Sequence, residues 1–561
     1  MRPTALGLLL YALLLLLHGL GKMGAFDTTD ARYLEIAREM HASGDWIMPR
    51  LAARPHLDKP PLTYWAAALG YQAFGVSPLA GRLLAELALA ATAVLVAVAG
   101  RRLCGRTGAV IAGGVLLSSA LVFTSSRGLS TDLFQLLLFS GAMFAFLRGV
   151  EGEGRPAFVV LALFLLGLSM NVKGPIALFV AVLIWIPFLA LTRGRTRLSG
   201  RALALGLVLF VIVGAPWYLA LWANDPGVMR YFLETQLLGR VTGAAPGVHL
   251  HPPYYLFAVW PLGLLPWTPL IVLALLRLWP RAGWRRAEPI DLYVLLWSIV
   301  PVLFFSIPRS KLATYLLVGF PAAGLALGLA FERGWLEGRA GRRALAGCAG
   351  LGCGAGLVLA LFVLAAPHIG HSGKLDAAVL AGRPLLGAAL ATSSALLAFV
   401  VQRLLRRRAS IAHTLVAIAL GTGLLFAIAF QAIGPALVSL REEGLLARSV
   451  PGSWLIQAGV DRVSALYYFG NLDQFRFTGI PSHPRRKPPN RYWEHELSGD
   501  EALAILRGEQ PVFCLTKPKF ASELGEASGA VVVLRRQETV LLANRAAQTA
   551  LAANALAEAR R

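Results

Sequence analysis

Runs of about twenty apolar residues recur from the N-terminus to about residue 435, separated by short polar links. A run of that length crosses a ~30 Å hydrocarbon core as a helix. The pattern predicts thirteen spans, at roughly 4–24, 79–100, 107–125, 131–150, 156–172, 174–192, 202–223, 253–276, 290–307, 311–331, 344–366, 383–402 and 411–433. The first run has no small-x-small cleavage site and leads straight into a charged segment. It reads as a retained helix rather than a signal peptide.

One long polar segment, 27–78, interrupts the pattern between the first two spans. Arg32 to His41 has helical spacing, with Tyr33, Ile36, Ala37 and Met40 on one face. Leu62 to Phe74 is a second amphipathic stretch, rich in aromatic residues. Both read as helices lying at the membrane surface. After residue 436 the character changes again. Val463–Phe469, Pro511–Thr516, Ala530–Leu534 and Thr539–Ala543 read as strands between polar turns. The expected organisation is a membrane domain, 1–435, and a small α/β domain, 436–561.

Composition agrees with a polytopic membrane protein: 57% of the 561 residues are hydrophobic, with a mean hydropathy of +0.63. The net charge of +23 raises nucleic acid as a partner, but its placement argues against one. Arginines cluster in five short links, around Arg101, Arg193, Arg277, Arg339 and Arg403. If the spans alternate, all five fall on one side. That is the positive-inside pattern, and membrane lipids are the partners it implies. The 27–78 segment and the C-terminal domain then share the opposite, external face. The four cysteines offer neither a disulfide framework in the C-terminal domain nor a metal-ligand spacing.

Charged residues recur at the external ends of the spans: Asp30, Arg32 and Lys59 in the first loop, Asp132 at the start of the fourth span, Lys173 before Gly174-Pro175, Arg240 in the loop 223–252, and Lys311 with Tyr315 at the tenth span. Each has a plain alternative. Lys59 and Lys173 suit snorkelling anchors, Arg240 and Lys311 suit headgroup contacts, and Asp132 suits a helix start. Together on one face they give carboxylates and several cations, which suits a phosphate-bearing lipid beside a polar substrate.

The motifs Asp30-x-Arg32-Tyr33-x-Glu35-Ile36-Ala37-Arg38-Glu39-Met40, Ser43-Gly44-Asp45-Trp46, Lys59-Pro60, Tyr64-Trp65, Thr131-Asp132, Lys173-Gly174, Pro266-Trp267-Thr268 and Ser310-Lys311-Leu312 with Thr314-Tyr315 occur in order over about 290 residues. On these the chain resembles the bacterial GT-C glycosyltransferases of the protein-mannosyltransferase-like group, and most the 4-amino-4-deoxy-L-arabinose lipid A transferases. The resemblance implies a polytopic helical fold with a periplasmic C-terminal domain, set in the bacterial inner membrane. It implies transfer of a sugar from a polyprenyl phosphate to lipid A, with Lys59, Arg240 and Tyr315 at the donor phosphate. Lys311, Lys173 and Arg32 are further phosphate-binding candidates, and Asp30, Asp132 and Asp27 are the catalytic ones. A divalent metal, held by some members, is the cofactor it raises; Thr235 and Gln236 stand where a ligand histidine would be sought.

The chain departs from the family at one informative place. The usual Asp-Glu pair of the first loop is Thr29-Asp30 here, so the first carboxylate is missing unless Asp27 or Asp30 replaces it. A hydroxyl acceptor needs a general base, whereas a lipid A phosphate is already ionised at neutral pH. The departure therefore favours a phosphate acceptor over the protein hydroxyl of protein O-mannosylation. A lipid transporter or flippase is the rival from another class, but no internal repeat marks one.

Overall fold

A computed structural model describes residues 5–26, 29–151, 155–243, 249–365, 383–434, 441–458, 460, 463–471, 473–478, 496–536 and 539–559. Helices stand at each of the thirteen apolar runs, but they differ in length. Among the described residues, eight are long and apolar enough to cross a membrane singly, and two more qualify as bent pairs. The bent pairs are Gly200–Gly214 with Pro216–Asn224, turned by 43°, and Tyr255–Gly263 with Thr268–Leu278, turned by 112°. Proline explains both breaks: Pro216 opens the second piece of one, and Pro266 lies between the pieces of the other. The remaining apolar helices are shorter: α1 (Ala5–Leu17), Arg101–Leu117 and Ile176–Leu191. Arg101–Leu117 also has non-helical backbone at Cys104 and Gly105, which shortens its regular part.

The polar first loop is built rather than draped. Helix α2 (Thr29–Ser43) buries Tyr33, Ile36, Ala37 and Met40, the face its spacing predicts. Helix α3 (Leu62–Phe74) follows, and α4 (Pro78–Ala99) is the first long span. Between α2 and α3, a short hairpin pairs β1 (Arg50–Leu51) with β2 (Arg54–Pro55). Its turn places Ala52 and Ala53 at φ of 54° and 60°, left-handed conformations that disfavour a side chain. The Glu39 carboxylate holds that turn, accepting the N–H of Ala52 at 2.6 Å and of Ala53 at 2.9 Å. Trp65 and Trp217 fix the stretch before it through indole hydrogen bonds to the carbonyls of Trp46 and Ile47, at 2.7 and 2.8 Å.

Within the membrane domain, small residues bring helices together. A Cβ on Gly328 would lie 2.5 Å from the Gly108 carbonyl oxygen, and one on Gly324 2.7 Å from that of Ala112. Such a stripe lets two backbones touch where lipid offers no hydrophobic driving force.

The C-terminal part forms a six-stranded mixed sheet in the order β5-β4-β3-β6-β8-β7. Its strands are β3 (Trp454–Ala458), β4 (Phe475–Thr478), β5 (Glu496–Leu497), β6 (Val512–Thr516), β7 (Val531–Arg535) and β8 (Val540–Ala543). Three of the four expected strands stand. Val463–Phe469 is instead a helix that buries Ala465, Leu466, Tyr467 and Phe469. It packs on α2, and this tertiary burial overrides the β-propensity of its aromatic residues. Tyr468 accepts the Ala25 N–H at 2.8 Å, and the hydroxyls of Tyr467 and Tyr71 lie 3.5 Å apart. The sheet domain is thus tied directly to the first loop.

Candidate active site

Asp132 is the first residue of the helix Asp132–Val150, where the unpaired N–H groups favour an anion. Lys173 is the last residue of Pro156–Lys173, where the carbonyls favour a cation. The two helix ends meet, and the Lys173 ammonium bonds the Asp132 carboxylate. Both side chains are 11% exposed. The same ammonium sits 5.1 Å from the centre of the Tyr315 ring, a favourable cation–π position.

On the first-loop side, Tyr33 and Tyr64 meet edge to face, their ring centres 5.3 Å apart. Burial pushes both hydroxyls above the ordinary tyrosine range. For Tyr33 the charges of Asp132 and Asp58 add to that shift and Arg32 opposes it, so these groups surround one ring. Tyr64 is raised further by Tyr33 and Asp58. Tyr231, from the helix Gly227–Tyr231, donates to Asp58 at 3.0 Å. Lys59 curls back to the Asp58 carbonyl at 2.9 Å. Arg32, half-buried, has no hydrogen bond or ion pair among the described residues.

Arg32, Lys59, Asp132, Lys173 and Tyr315 therefore share one neighbourhood. Tyr33, Asp58, Tyr64 and Tyr231 join them. Asp58 and the tyrosines carried a visible signal, since aromatic residues flank the first-loop motifs. Asp30 and Lys311 are held by other partners. Asp30 is buried against Arg82, with oxygens 2.9 Å from Nε and 2.5 Å from Nη2. Lys311 donates to the carbonyls of Pro308 and His251. Arg240 lies on the short helix Gly239–Thr242, and its side chain is outside the described residues, as is Asp27.

Arg82 was not among the candidates. Its signal was an arginine with a glutamate, Glu86, one turn on, inside an otherwise apolar span. For a metal, no group of three or more His, Cys, Asp or Glu converges among the described residues. His56 Nε2 and Asp58 Oδ2 lie 3.6 Å apart and do not by themselves make a ligand set, so the chemistry below uses the chain's own groups.

Over nearly its whole length, 96% of this chain and 97% of the other, the structure matches the crystal structure of ArnT from Cupriavidus metallidurans bound to undecaprenyl phosphate, with a TM-score of 0.79 at 22% identity. Residues 58–220 match the family model described as dolichyl-phosphate-mannose-protein mannosyltransferase. The chain shares the fold of that crystal structure, and its residues 58–220 are similar to that family. Among similar proteins, the undecaprenyl phosphate-alpha-4-amino-4-deoxy-L-arabinose arabinosyl transferase of Aeromonas salmonicida is 32% identical over 334 residues, 58% of this chain and 60% of the relative. The Edwardsiella ictaluri protein of the same description is 32% identical over 367 residues, 64% and 63% of the two chains. The matched stretch thus spans less than two thirds of those relatives' own length.

Proposed function

We propose that this protein transfers a sugar of the aminoarabinose class from a polyprenyl phosphate to a lipid A phosphate, at the periplasmic face of a bacterial inner membrane. The observation that carries the reading is the joint placement of Asp132, Lys173 and Tyr315 with Arg32, Lys59 and Asp58 in one neighbourhood. The family relatives named as arabinosyl transferases support the sugar and the donor. The one-sided arginine links support the orientation.

In this reading a phosphate oxygen of the acceptor attacks the anomeric carbon. The bond from that carbon to the donor's phosphate oxygen breaks, and the electron pair leaves with the polyprenyl phosphate. Neither anion needs a base; both need cations and alignment. Lys59, Arg240 and Tyr315 hold the donor phosphate. Arg32, which meets no described partner, is placed to receive a second anion. Asp132 pairs through Oδ1 with Lys173, and its other oxygen faces the sugar's ammonium. Asp30, closed on Arg82, is not available for that role.

The test is mass spectrometry of lipid A from cells with and without the protein. An aminoarabinose increment that requires the protein, and vanishes with Asp132→Ala at normal abundance, is the expected result. An unchanged lipid A profile with the donor pathway present overturns the acceptor and directs attention to periplasmic glycoproteins.

A further inference from the structure

A buried layer of four ionisable side chains is not used by the transfer chemistry above. It comprises Asp30, Arg82, Glu86 and Arg127, two acidic and two basic. Asp30 and Arg82 have side chains only 1% exposed. Burying such a pair is costly, and removing one partner strands the other. The layer therefore asks for a role beyond stability.

Its hydrogen bonds point to one. Besides Asp30, Arg82 donates to the carbonyls of Met23 at 3.0 Å and Gly24 at 2.8 Å, where the chain leaves the first span. Asp30 in turn accepts the N–H of Leu129 at 2.7 Å. Arg127, two residues earlier, reaches the carbonyls of Leu16 and His18 at 2.9 and 3.4 Å, near the end of α1. Its guanidinium lies over the rings of Phe123 and Phe430, at 4.5 and 4.9 Å. Between these two anchors, Gly128 presses on the layer: a Cβ there would lie 2.8 Å from the Phe26 ring and 3.2 Å from the Asp30 Cβ. The segment 127–129 is thus gripped from both sides, and Asp132 follows three residues later.

We infer that Arg82 is a positioning residue for the transfer, acting through Asp30 and the Leu129 N–H to set where Asp132 meets Lys173. The inference rests on the function proposed above. It assigns Asp30 a placing role in which it exchanges no proton with substrate. A small displacement of a reacting or orienting group lowers turnover more than binding. Asp30→Asn keeps Oδ1 for the Leu129 N–H and Arg82 Nε but turns an NH2 group toward Arg82 Nη2, so it breaks the two-pronged contact without emptying the site.

The experiment uses the full chain in lipid nanodiscs, with polyprenyl-phosphate aminoarabinose and lipid A. Asp30→Asn and Arg82→Gln should each lower kcat by roughly tenfold to a hundredfold while donor KM changes by less than about threefold. The double variant should be no slower than the slower single, and the pH profile of Asp30→Asn should keep the wild-type shape. Hydrogen exchange of the peptide covering 126–131 should quicken in both singles by more than exchange in helices remote from the clamp, whatever the fall in melting temperature. Where Arg82→Gln does not accumulate, Arg82→Lys, which keeps the charge and loses the two-pronged contact, replaces it. Multiplying defects in the double variant, a shifted pH limb in Asp30→Asn, or unchanged exchange at 126–131 would each overturn the inference. If the wild-type chain leaves lipid A unmodified, the functional reading fails, while the exchange arm still reports on the clamp.

Discussion

Replacing Lys173 by Met would leave the Asp132 carboxylate nine-tenths buried with its described cation gone. Breaking a buried pair from one side costs ~3–5 kcal/mol. Two features of the site reduce that figure. The carboxylate keeps 11% exposure, and its place in the first turn of a helix returns ~0.3–1 kcal/mol. The remaining loss is about 2–3 kcal/mol, which corresponds to a roughly 30- to 150-fold slower transfer if the carboxylate must stay in place. Lys173→Arg keeps the charge at the favourable helix end and should retain most activity. The charge swap, Asp132→Lys with Lys173→Asp, puts each sign at the wrong helix end and should not rescue. The decisive variant is Asp132→Asn with Lys173→Met. With both charges gone, no ion is stranded, so abundance and melting temperature should recover above those of Lys173→Met alone. Lipid A modification, followed by mass spectrometry, should stay absent. Restored modification in the double variant would show that the pair serves the fold alone, and wild-type transfer by Lys173→Met would remove it from the site.

Tyr231→Phe removes the hydroxyl that bonds Asp58, and should raise donor KM several-fold at nearly constant kcat, read by steady-state assay. Gly328→Val forces a Cβ against the Gly108 carbonyl, and helix displacement of this kind costs ~1–3 kcal/mol or more, so the melting temperature should fall. Burial, with the nearby Glu35 charge, pushes the Glu39 carboxyl up from 4.5 to about 8, although the Ala52 and Ala53 N–H groups pull it down. Its folded pKa exceeds its unfolded one, so the folded state binds more protons across that window. This contribution to stability is full below about 4.5 and is lost as pH rises toward 8, at up to about 1.4 kcal/mol per pH unit. Melting curves between pH 5 and 9 should therefore fall more steeply for wild type than for Glu39→Gln; equal slopes would refute the assignment.

The long spans were legible because about twenty apolar residues in a row admit few other structures. The bent pairs were not, since hydropathy averages over Pro216 and Pro266 without registering the turn each one makes. Asp132, Lys173 and Tyr315 could be found singly as charges or aromatics at span ends. Their meeting could not, because it joins residues 132, 173 and 315 through tertiary packing. Asp30 shows the limit most clearly. Its motif marked it for chemistry, but its environment is set by Arg82, in the span that follows the loop. Val463–Phe469 shows the same limit for secondary structure: seven residues with strand propensity become a helix because α2 offers them a surface to cover.

The bond from the Ala25 N–H to the Tyr468 hydroxyl joins positions 443 residues apart. A ribosome has therefore added more than four hundred residues before the segment leading into α2 meets its final partner. The first loop lacks that bond while the later helices are made. Closure of this contact is a late event in biosynthesis, since it needs the helix Val463–Phe469 to have been made. A chain stopped before residue 463 would keep every charged residue of the site and still lack that bond.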